Sequence, residues 1–203
     1  MEKGTKYSIL VGLFVMALTV SALIGVKIIP FWGIFFSATA ITFPITFLVT
    51  DIISEVWGKK KAHQVVWVGF FTTIIAYILV LIAIKLPFAP FWQGQEAYAQ
   101  TLGLVGRIVF AGLIAYIISQ HHDVWAFHFW KVKTRNKHLW FRNNASTVMS
   151  QLINTIIFVP IAFYGILPTT ALIPTILGHF LIKVIFAIAD TPFVYLGVAW
   201  ARR

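Results

Sequence analysis

Residues Ile118–Phe158 read ISQHHDVWAFHFWKVKTRNKHLWFRNNASTVMSQLINTIIF, and this stretch decides the fold class. It contains four of the six histidines and, between Lys131 and Arg142, five Lys or Arg residues. The chain then becomes apolar, but amide and hydroxyl side chains recur at helical spacing. A basic connection that leads into an apolar helix with one polar face is typical of a cytoplasmic loop followed by a membrane-spanning helix.

The composition of the whole chain favours the same class. Its 203 residues are 60% hydrophobic and 11% charged, whereas an ordinary soluble domain carries about 25% charged residues. We therefore expect a single integral membrane domain, residues 1–203, of the all-α class. The net charge of +10 lies between apolar runs, so the bilayer is the expected partner and direct nucleic-acid binding is not. The absence of cysteine excludes disulfides and thiolate metal sites.

Six apolar runs are about as long as the roughly 20 residues that a spanning helix needs. They are residues 7–26, 34–56, 65–86, 102–119, 146–164 and 171–198. With six spans, twelve Lys and Arg residues fall on one side of the membrane and only Lys27 and Lys85 on the other. The positive-inside rule then places both termini in the cytoplasm. We expect a multi-pass protein of the inner, cytoplasmic membrane. One possible architecture has two halves of three helices each, which are inverted relative to each other in the membrane.

Ionisable side chains inside a membrane are costly, so they mark candidate functional positions. Asp51 and Glu55 lie four residues apart on one face of the second helix. Pro44 precedes them and is expected to kink that helix. The sixth helix places Lys183 and Asp190 on one side, together with His179.

The fifth helix adds a stripe of amides, Asn144, Gln151 and Asn154. Since three helices carry polar groups at similar depths, we predict a polar-lined cavity, with isolated interhelical hydrogen bonds as the alternative. Carboxylates and amides together suit a small, flat solute with polar edges, and aromatic rings could stack on its faces. The candidate stacking residues are Phe43, Trp57, Trp140 and Phe158.

Two other patterns leave alternatives open. Ala17, Ser21 and Gly25 form a small-residue stripe on the first helix, which could pack inside the chain or form a homodimer face. Residues 123–130 look like an amphipathic segment at the membrane interface, and the histidines before and within it could serve an interfacial, proton-linked or metal-binding role. Their spacing does not match a metal motif, so we expect no metal or other cofactor.

Several motifs together resemble the queuosine precursor transporters, a family similar to vitamin-uptake transporters. The second helix contributes Phe43-Pro44, Asp51 and the run from Glu55 to Gly58. The remaining motifs are Asp123–Phe127, the run from Trp140 to Gln151, and Lys183 with Asp190-Thr191-Pro192. Two positions depart from the family pattern: Asn154 stands where an acid is usual, and Trp57 where tyrosine is commoner.

The resemblance implies import of 7-deazaguanine bases or queuine for tRNA modification. A carboxylate such as Asp51 or Glu55 can accept both N–H groups on the guanine-like edge of such a base. The alternative is the substrate-binding membrane subunit of an ATP-driven vitamin importer. An enzyme is not expected, since the chain shows no nucleophile–base constellation.

Overall fold

The computed structural model describes residues 2–31, 34–103 and 105–203, and it confirms the all-α membrane class. Six helical segments within those residues are long and apolar enough to cross a membrane. They are α1 Lys3–Ile24, α2 Thr39–Val56, α3 Lys59–Lys85, the run from α4 Gln95–Gly103 into α5 Val105–Lys133, α6 Leu139–Phe163 and α7 Thr169–Ala189. A shorter helix, α8 Thr191–Arg202, follows α7, and two strands, β1 Ile28–Phe31 and β2 Ile34–Ser37, lie between α1 and α2.

The bundle has two chemically different ends. Both termini lie at one end, where the Lys6 Nζ donates to the Trp200 carbonyl over 2.9 Å. The connections α2–α3 and α5–α6 lie at the same end, and together with the helix ends beside them they carry eight of the sixteen Lys and Arg residues. We call this the basic end, and the opposite end, which carries the β1–β2 pair, the hairpin end. The charge distribution predicts that the basic end faces the cytoplasm.

Two predicted helix boundaries shift in the structure. Residues 34–37 pair antiparallel with residues 28–31, so α2 begins only at Thr39. The last apolar run is divided at Asp190, where α7 ends and α8 begins. Pro192 lies in the first turn of α8, where its missing N–H does not cost a helical hydrogen bond. Val194, Val198 and the Ala201 methyl then pack α8 into the core shared with α2.

Residues 123–130 do not form a separate interfacial segment, contrary to expectation. They continue α5 without a break to Lys133, and Asp123, Val124 and Phe127 are completely buried. The turn after α5 uses left-handed backbone at Arg135, Asn136 and His138. This turn lets α6 return along α5, and buried apolar side chains of the two helices form one cluster near the hairpin end.

The small-residue stripe packs inside the chain. The hydroxyls of Ser21 and Thr42 are 2.5 Å apart, and a Cβ at Gly25 would lie 2.9 Å from the Thr39 methyl. These contacts seat α1 closely against α2, as small residues in membrane helices allow. Ala17 and Ser21 are buried, so a homodimer through this face would require them to be uncovered. The inverted arrangement of halves stays a prediction.

Candidate functional site

The polar side chains of the bundle occupy three levels and do not converge on one pocket. Nearest the hairpin end is a cavity whose lining includes Lys183 and His179. Toward the basic end follows a carboxyl layer made by Asp51, Asp123 and Asp190. At the basic end itself, the Glu55 cluster joins Glu55 to Lys131, Arg142 and Arg202.

The cavity lies between helices α1, α2, α3, α5, α6 and α7, in the half of the bundle near the hairpin end. By a rise of about 1.5 Å per residue, Asn154 lies roughly 13 Å along α6 from its end at Phe163. Most of the wall is apolar, as is usual for small-molecule pockets in proteins. Four predicted site residues line it: Phe43, Asn154, Phe158 and Lys183.

Lys183 places its amine in the wall of this cavity, and the residue is 1% exposed. Its Nζ donates to the Asn154 Oδ1 over 2.6 Å and lies 5.1 Å from the centre of the Phe43 ring. Asn154 in turn donates through Nδ2 to the Ser119 hydroxyl over 3.1 Å. The amide therefore orients the ammonium group toward α2 and α6, and an aromatic face provides further favourable contact.

His179 lies one turn before Lys183 on α7 and shares the same cavity wall. Its ring is fully buried, 5.7 Å from the Phe158 ring. Neither ring nitrogen has a hydrogen-bond partner. A buried polar group without a partner is costly, so both nitrogens are available to a bound ligand. His179 is on the predicted polar side of α7, and the structure makes it a cavity residue.

The carboxyl layer brings together acids from different helices. Asp51 is 1% exposed, and its Oδ2 accepts a hydrogen bond from the Thr147 hydroxyl over 3.4 Å, while Oδ1 has no partner. Asp123 and Asp190 are its acidic neighbours. The Asp190 Oδ1 accepts from the Asn143 amide over 3.5 Å. Neither oxygen of Asp123 accepts a well-formed hydrogen bond, although the side chains of Ser146, Ser150 and Asp51 lie beside it.

Asp123 was not predicted to belong to this layer. Residues 123–130 were expected at the membrane interface, although Ser119, Gln120 and Asp123 recur at helical spacing. That spacing places polar side chains on one face of an extended α5. The Gln120 Nε2 donates to the Thr46 hydroxyl over 2.8 Å, which confirms that this face of α5 meets α2.

Gln151 lies between the cavity and the carboxyl layer along α6. It is one turn from Thr147 and nearly one turn from Asn154, and it is completely buried. Neither its Oε1 nor its Nε2 has a hydrogen-bond partner. An amide can both donate and accept, so Gln151 has unused hydrogen-bonding groups at a depth between the two levels.

Glu55 is not free to bind a solute in this structure. Its Oε2 lies 2.9 Å from the Lys131 Nζ and 2.6 Å from an Arg142 nitrogen, and its Oε1 lies 2.6 Å from an Arg202 nitrogen. Both carboxylate oxygens are therefore satisfied by cations from α5, α6 and α8. The four-residue spacing from Asp51 is correct, but the two carboxylates belong to different levels.

Two further predicted residues lie away from the cavity lining. The Asn144 Nδ2 donates to the Trp140 carbonyl and to the Thr191 hydroxyl, each over 2.8 Å. This side chain therefore ties α6 to the start of α8. The Trp57 ring lies 5.5 Å from the Tyr7 ring at the basic end, where it packs against the core.

The histidines of α5 make separate contacts and do not form one centre. The Nδ1 atoms of His63 and His121 are 2.6 Å apart, while the His122 Nδ1 lies 2.9 Å from the Ser150 hydroxyl. Within residues 2–31, 34–103 and 105–203, no group of three or more His, Asp or Glu side chains is arranged to hold a metal ion.

Comparison with known proteins agrees with this membrane architecture. The family described as "putative vitamin uptake transporter" matches residues 37–197. The chain belongs to this family. The matched region begins at the end of β2 and includes the carboxyl layer, the Glu55 cluster except Arg202, and the cavity lining except its α1 residues Leu18, Ser21 and Ala22.

The chain is similar to three bacterial proteins. A probable queuosine precursor transporter of Bacillus subtilis is 30% identical over 84% of this chain and 75% of its own length. The queuosine precursor transporter of Escherichia coli is 29% identical over 66% of this chain and 55% of its own length. A probable queuosine precursor transporter of Haemophilus influenzae is 29% identical over 66% of this chain and 52% of its own length. No solved structure matches the chain.

Proposed function

We propose that this protein imports queuosine precursors, 7-deazaguanine bases or queuine, across the cytoplasmic membrane for use in tRNA modification. The observation that carries the proposal is the cavity, in which buried hydrogen-bonding groups lie beside two aromatic rings inside a bundle of spanning helices. The names of three relatives support the substrate class. The protein acts as a carrier and performs no chemical step.

The cavity chemistry supports binding of a flat base. Phe43 and Phe158 offer aromatic faces for stacking, which is worth about 1–3 kcal/mol per base in other proteins. The Lys183 ammonium can donate to a ring carbonyl, and His179 brings two unpartnered nitrogens. The Asn154 amide can accept from, or donate to, the edge of the base.

The base can pass from the cavity toward the basic end by way of the carboxyl layer and the Glu55 cluster. Gln151 and the carboxyl layer present unpartnered acceptors, which can take the paired N–H groups of a guanine-like edge as the base leaves the cavity. The Glu55 cluster joins α2, α5, α6 and α8 at the basic end. We assign these ion pairs the role of closing that end, so the structure corresponds to a state in which the cavity does not open to the cytoplasm.

The test is uptake by a bacterial strain that can neither make nor import queuosine precursors. The full chain is expressed, single 7-deazaguanine bases are supplied at nanomolar levels, and queuosine in tRNA is measured on a boronate gel. We expect the wild type to restore queuosine and the Gln151→Ala variant to lower it. Gln95→Ala is the matched control, because this glutamine bonds the Ile84 carbonyl near the hairpin end and should leave uptake unchanged.

Two results would contradict the proposal. If no base restores queuosine although the protein reaches the membrane, import of these precursors by the single chain is wrong. If the wild type restores queuosine and Gln151→Ala does so equally well at limiting base concentration, the function stands and the proposed path along α6 is wrong.

A further inference from the structure

Lys183 is a buried amine without an acidic partner. All ion pairs in the described part of the chain involve Glu55, so no carboxylate oxygen there lies within 4 Å of the Lys183 Nζ. Its hydrogen-bond acceptor is the neutral amide of Asn154, 2.6 Å away. A charge buried inside a membrane protein is costly unless it is paired. This arrangement therefore leaves a place for a negative charge inside the cavity.

A second observation points to the same place. His179 lies one helical turn from Lys183 in the cavity wall, and both of its buried ring nitrogens are without partners. The neighbouring rings of Phe43 and Phe158 are apolar and cannot provide the missing charge. An incoming anion would find the Lys183 ammonium and an imidazole N–H on one wall, with aromatic faces beside them.

We propose that Lys183 makes the cavity selective for an anionic substrate, namely a 7-deazaguanine that carries a carboxylate at the 7-position. The inference rests on the proposed function and specifies its substrate. A carboxylate supplies the missing counter-charge and accepts a charge-assisted hydrogen bond. An aminomethyl group at the same position adds a second positive charge to the cavity and is disfavoured. A nitrile is a neutral acceptor, so its affinity lies between the two.

The test is equilibrium dialysis of the purified full-length protein in detergent against 7-carboxy-, 7-cyano- and 7-aminomethyl-7-deazaguanine at pH 7. We expect the carboxylate to bind about tenfold or more tightly than the aminomethyl base, since one charge-assisted hydrogen bond is gained and one repulsion avoided. Asn154→Asp places an acid against Lys183 without changing the size of the side chain. It should abolish this preference or reverse it.

Further variants place the selectivity on Lys183 itself. Lys183→Met should bring the affinities of the three bases within about threefold of one another, because the charge that separates them is gone. Lys85→Met is the matched control, since Lys85 is an exposed residue at the hairpin end of α3. It should keep the wild-type order. Size-exclusion chromatography checks that each variant is monodisperse. The order of the three affinities in the wild type tests the inference even without the variants.

The outcomes separate the inference from the proposed function. If the wild type binds the aminomethyl base as tightly as the carboxylate or more tightly, the inference is wrong and the proposed function stands. A carboxylate preference that persists in both Asn154→Asp and Lys183→Met would also overturn it, because the selective charge would then lie elsewhere. If the wild type binds none of the three bases nor queuine, the proposed function fails and the inference fails with it.

Discussion

The cavity and the Glu55 cluster handle buried charge in opposite ways. In the cluster, one carboxylate is contacted by three cations, each through an N–O distance of 2.9 Å or less. In the cavity, the Lys183 ammonium is held by an amide, and the imidazole of His179 has no partner. Both regions use helices α2 and α6, so the difference lies in the side chains and not in the scaffold.

Under the proposed function, this difference separates the end of the bundle that is closed from the cavity that binds the base. A fully paired buried charge stabilises one arrangement of helices, because removing one partner leaves the other uncompensated. A buried charge without a counter-charge is stabilised most when a ligand supplies that counter-charge. The contrast predicts that substitutions in the Glu55 cluster mainly affect stability, whereas substitutions in the cavity and the carboxyl layer mainly affect binding and transport.

The largest expected effect comes from removing the shared anion. Glu55→Gln leaves Arg142, itself 1% exposed, without its carboxylate partner, and three cations then lie close together. We expect the free energy of unfolding to fall by about 3–5 kcal/mol. Denaturant titration in mixed micelles measures it. Glu96→Gln, which neutralises an exposed acid on α4, is the control and should be neutral.

The double variant Glu55→Gln/Arg142→Met sharpens this prediction. Removing the buried cation together with the anion should recover part of the lost stability, since replacing both partners avoids an unpaired buried charge. A double variant as unstable as the sum of the two single variants would show that the two side chains do not act as a pair.

The next largest effect is expected in the carboxyl layer, on transport and not on stability. Asp51→Asn removes one of two neighbouring buried acids and keeps the shape of the side chain. We expect uptake to fall about tenfold or more, because a carboxylate that would accept N–H groups from the base is lost, and a charge-assisted hydrogen bond is worth about 1.5–3 kcal/mol. The free energy of unfolding should stay the same or rise, since Asp51 and Asp123 no longer repel each other.

Ser54→Ala provides the comparison for Asp51→Asn. Ser54 is buried on the same helix and its hydroxyl is also without a partner, so its loss tests whether any unpartnered polar group of α2 matters. Queuosine in tRNA, measured at limiting base concentration, should be unchanged. Equal loss of uptake in both variants would show that the effect reflects packing of α2 and not the carboxylate.

Most of the fold could be predicted from the sequence. Six spans and the grouping of both termini at one end follow from apolar runs and from the distribution of Lys and Arg, which are local signals. The β1–β2 pair was not predicted, because residues 34–37 are apolar enough to be read as the start of the second helix and residues 28–31 were left in the connection before it. The continuation of α5 through residue 133 was missed because aromatic and histidine residues at a helix end resemble an interfacial segment.

The site was predictable only in part, because depth in the membrane is not the same as contact. Phe43, Asn154, Phe158 and Lys183 were expected together and line one cavity. Glu55 was expected beside them, yet its partners Lys131, Arg142 and Arg202 come from distant parts of the chain. No local pattern shows which buried acid will meet a cation and which will remain without one.

A smaller effect tests the aromatic wall of the cavity. Phe158→Leu keeps an apolar side chain but removes the ring that could stack on a base, so the affinity for the carried base should fall about fivefold to tenfold. Equilibrium dialysis measures it. Phe163→Leu is the control, because this ring packs edge-on against Phe158, 5.9 Å away, and is not part of the cavity lining. Equal losses in both variants would place the effect in packing of α6.

The smallest effect is expected at the rim of the Glu55 cluster, where the comparison can be made within one carboxylate. Arg142 and Arg202 both lie 2.6 Å from Glu55, but their side chains are 2% and 59% exposed. Water and salt screen the outer pair, so Arg202→Gln should lower the free energy of unfolding by no more than about 1 kcal/mol, and less at high salt. Arg142→Gln should cost more, about 2–3 kcal/mol, because a buried charge-assisted hydrogen bond to Glu55 is lost even though Lys131 and Arg202 remain. Denaturant titrations of both variants at two salt concentrations show whether burial or distance sets the strength of each ion pair. Equal losses of stability would mean that contact geometry alone sets it. The difference between the Glu55 cluster and the cavity would then depend on the ligand and not on burial.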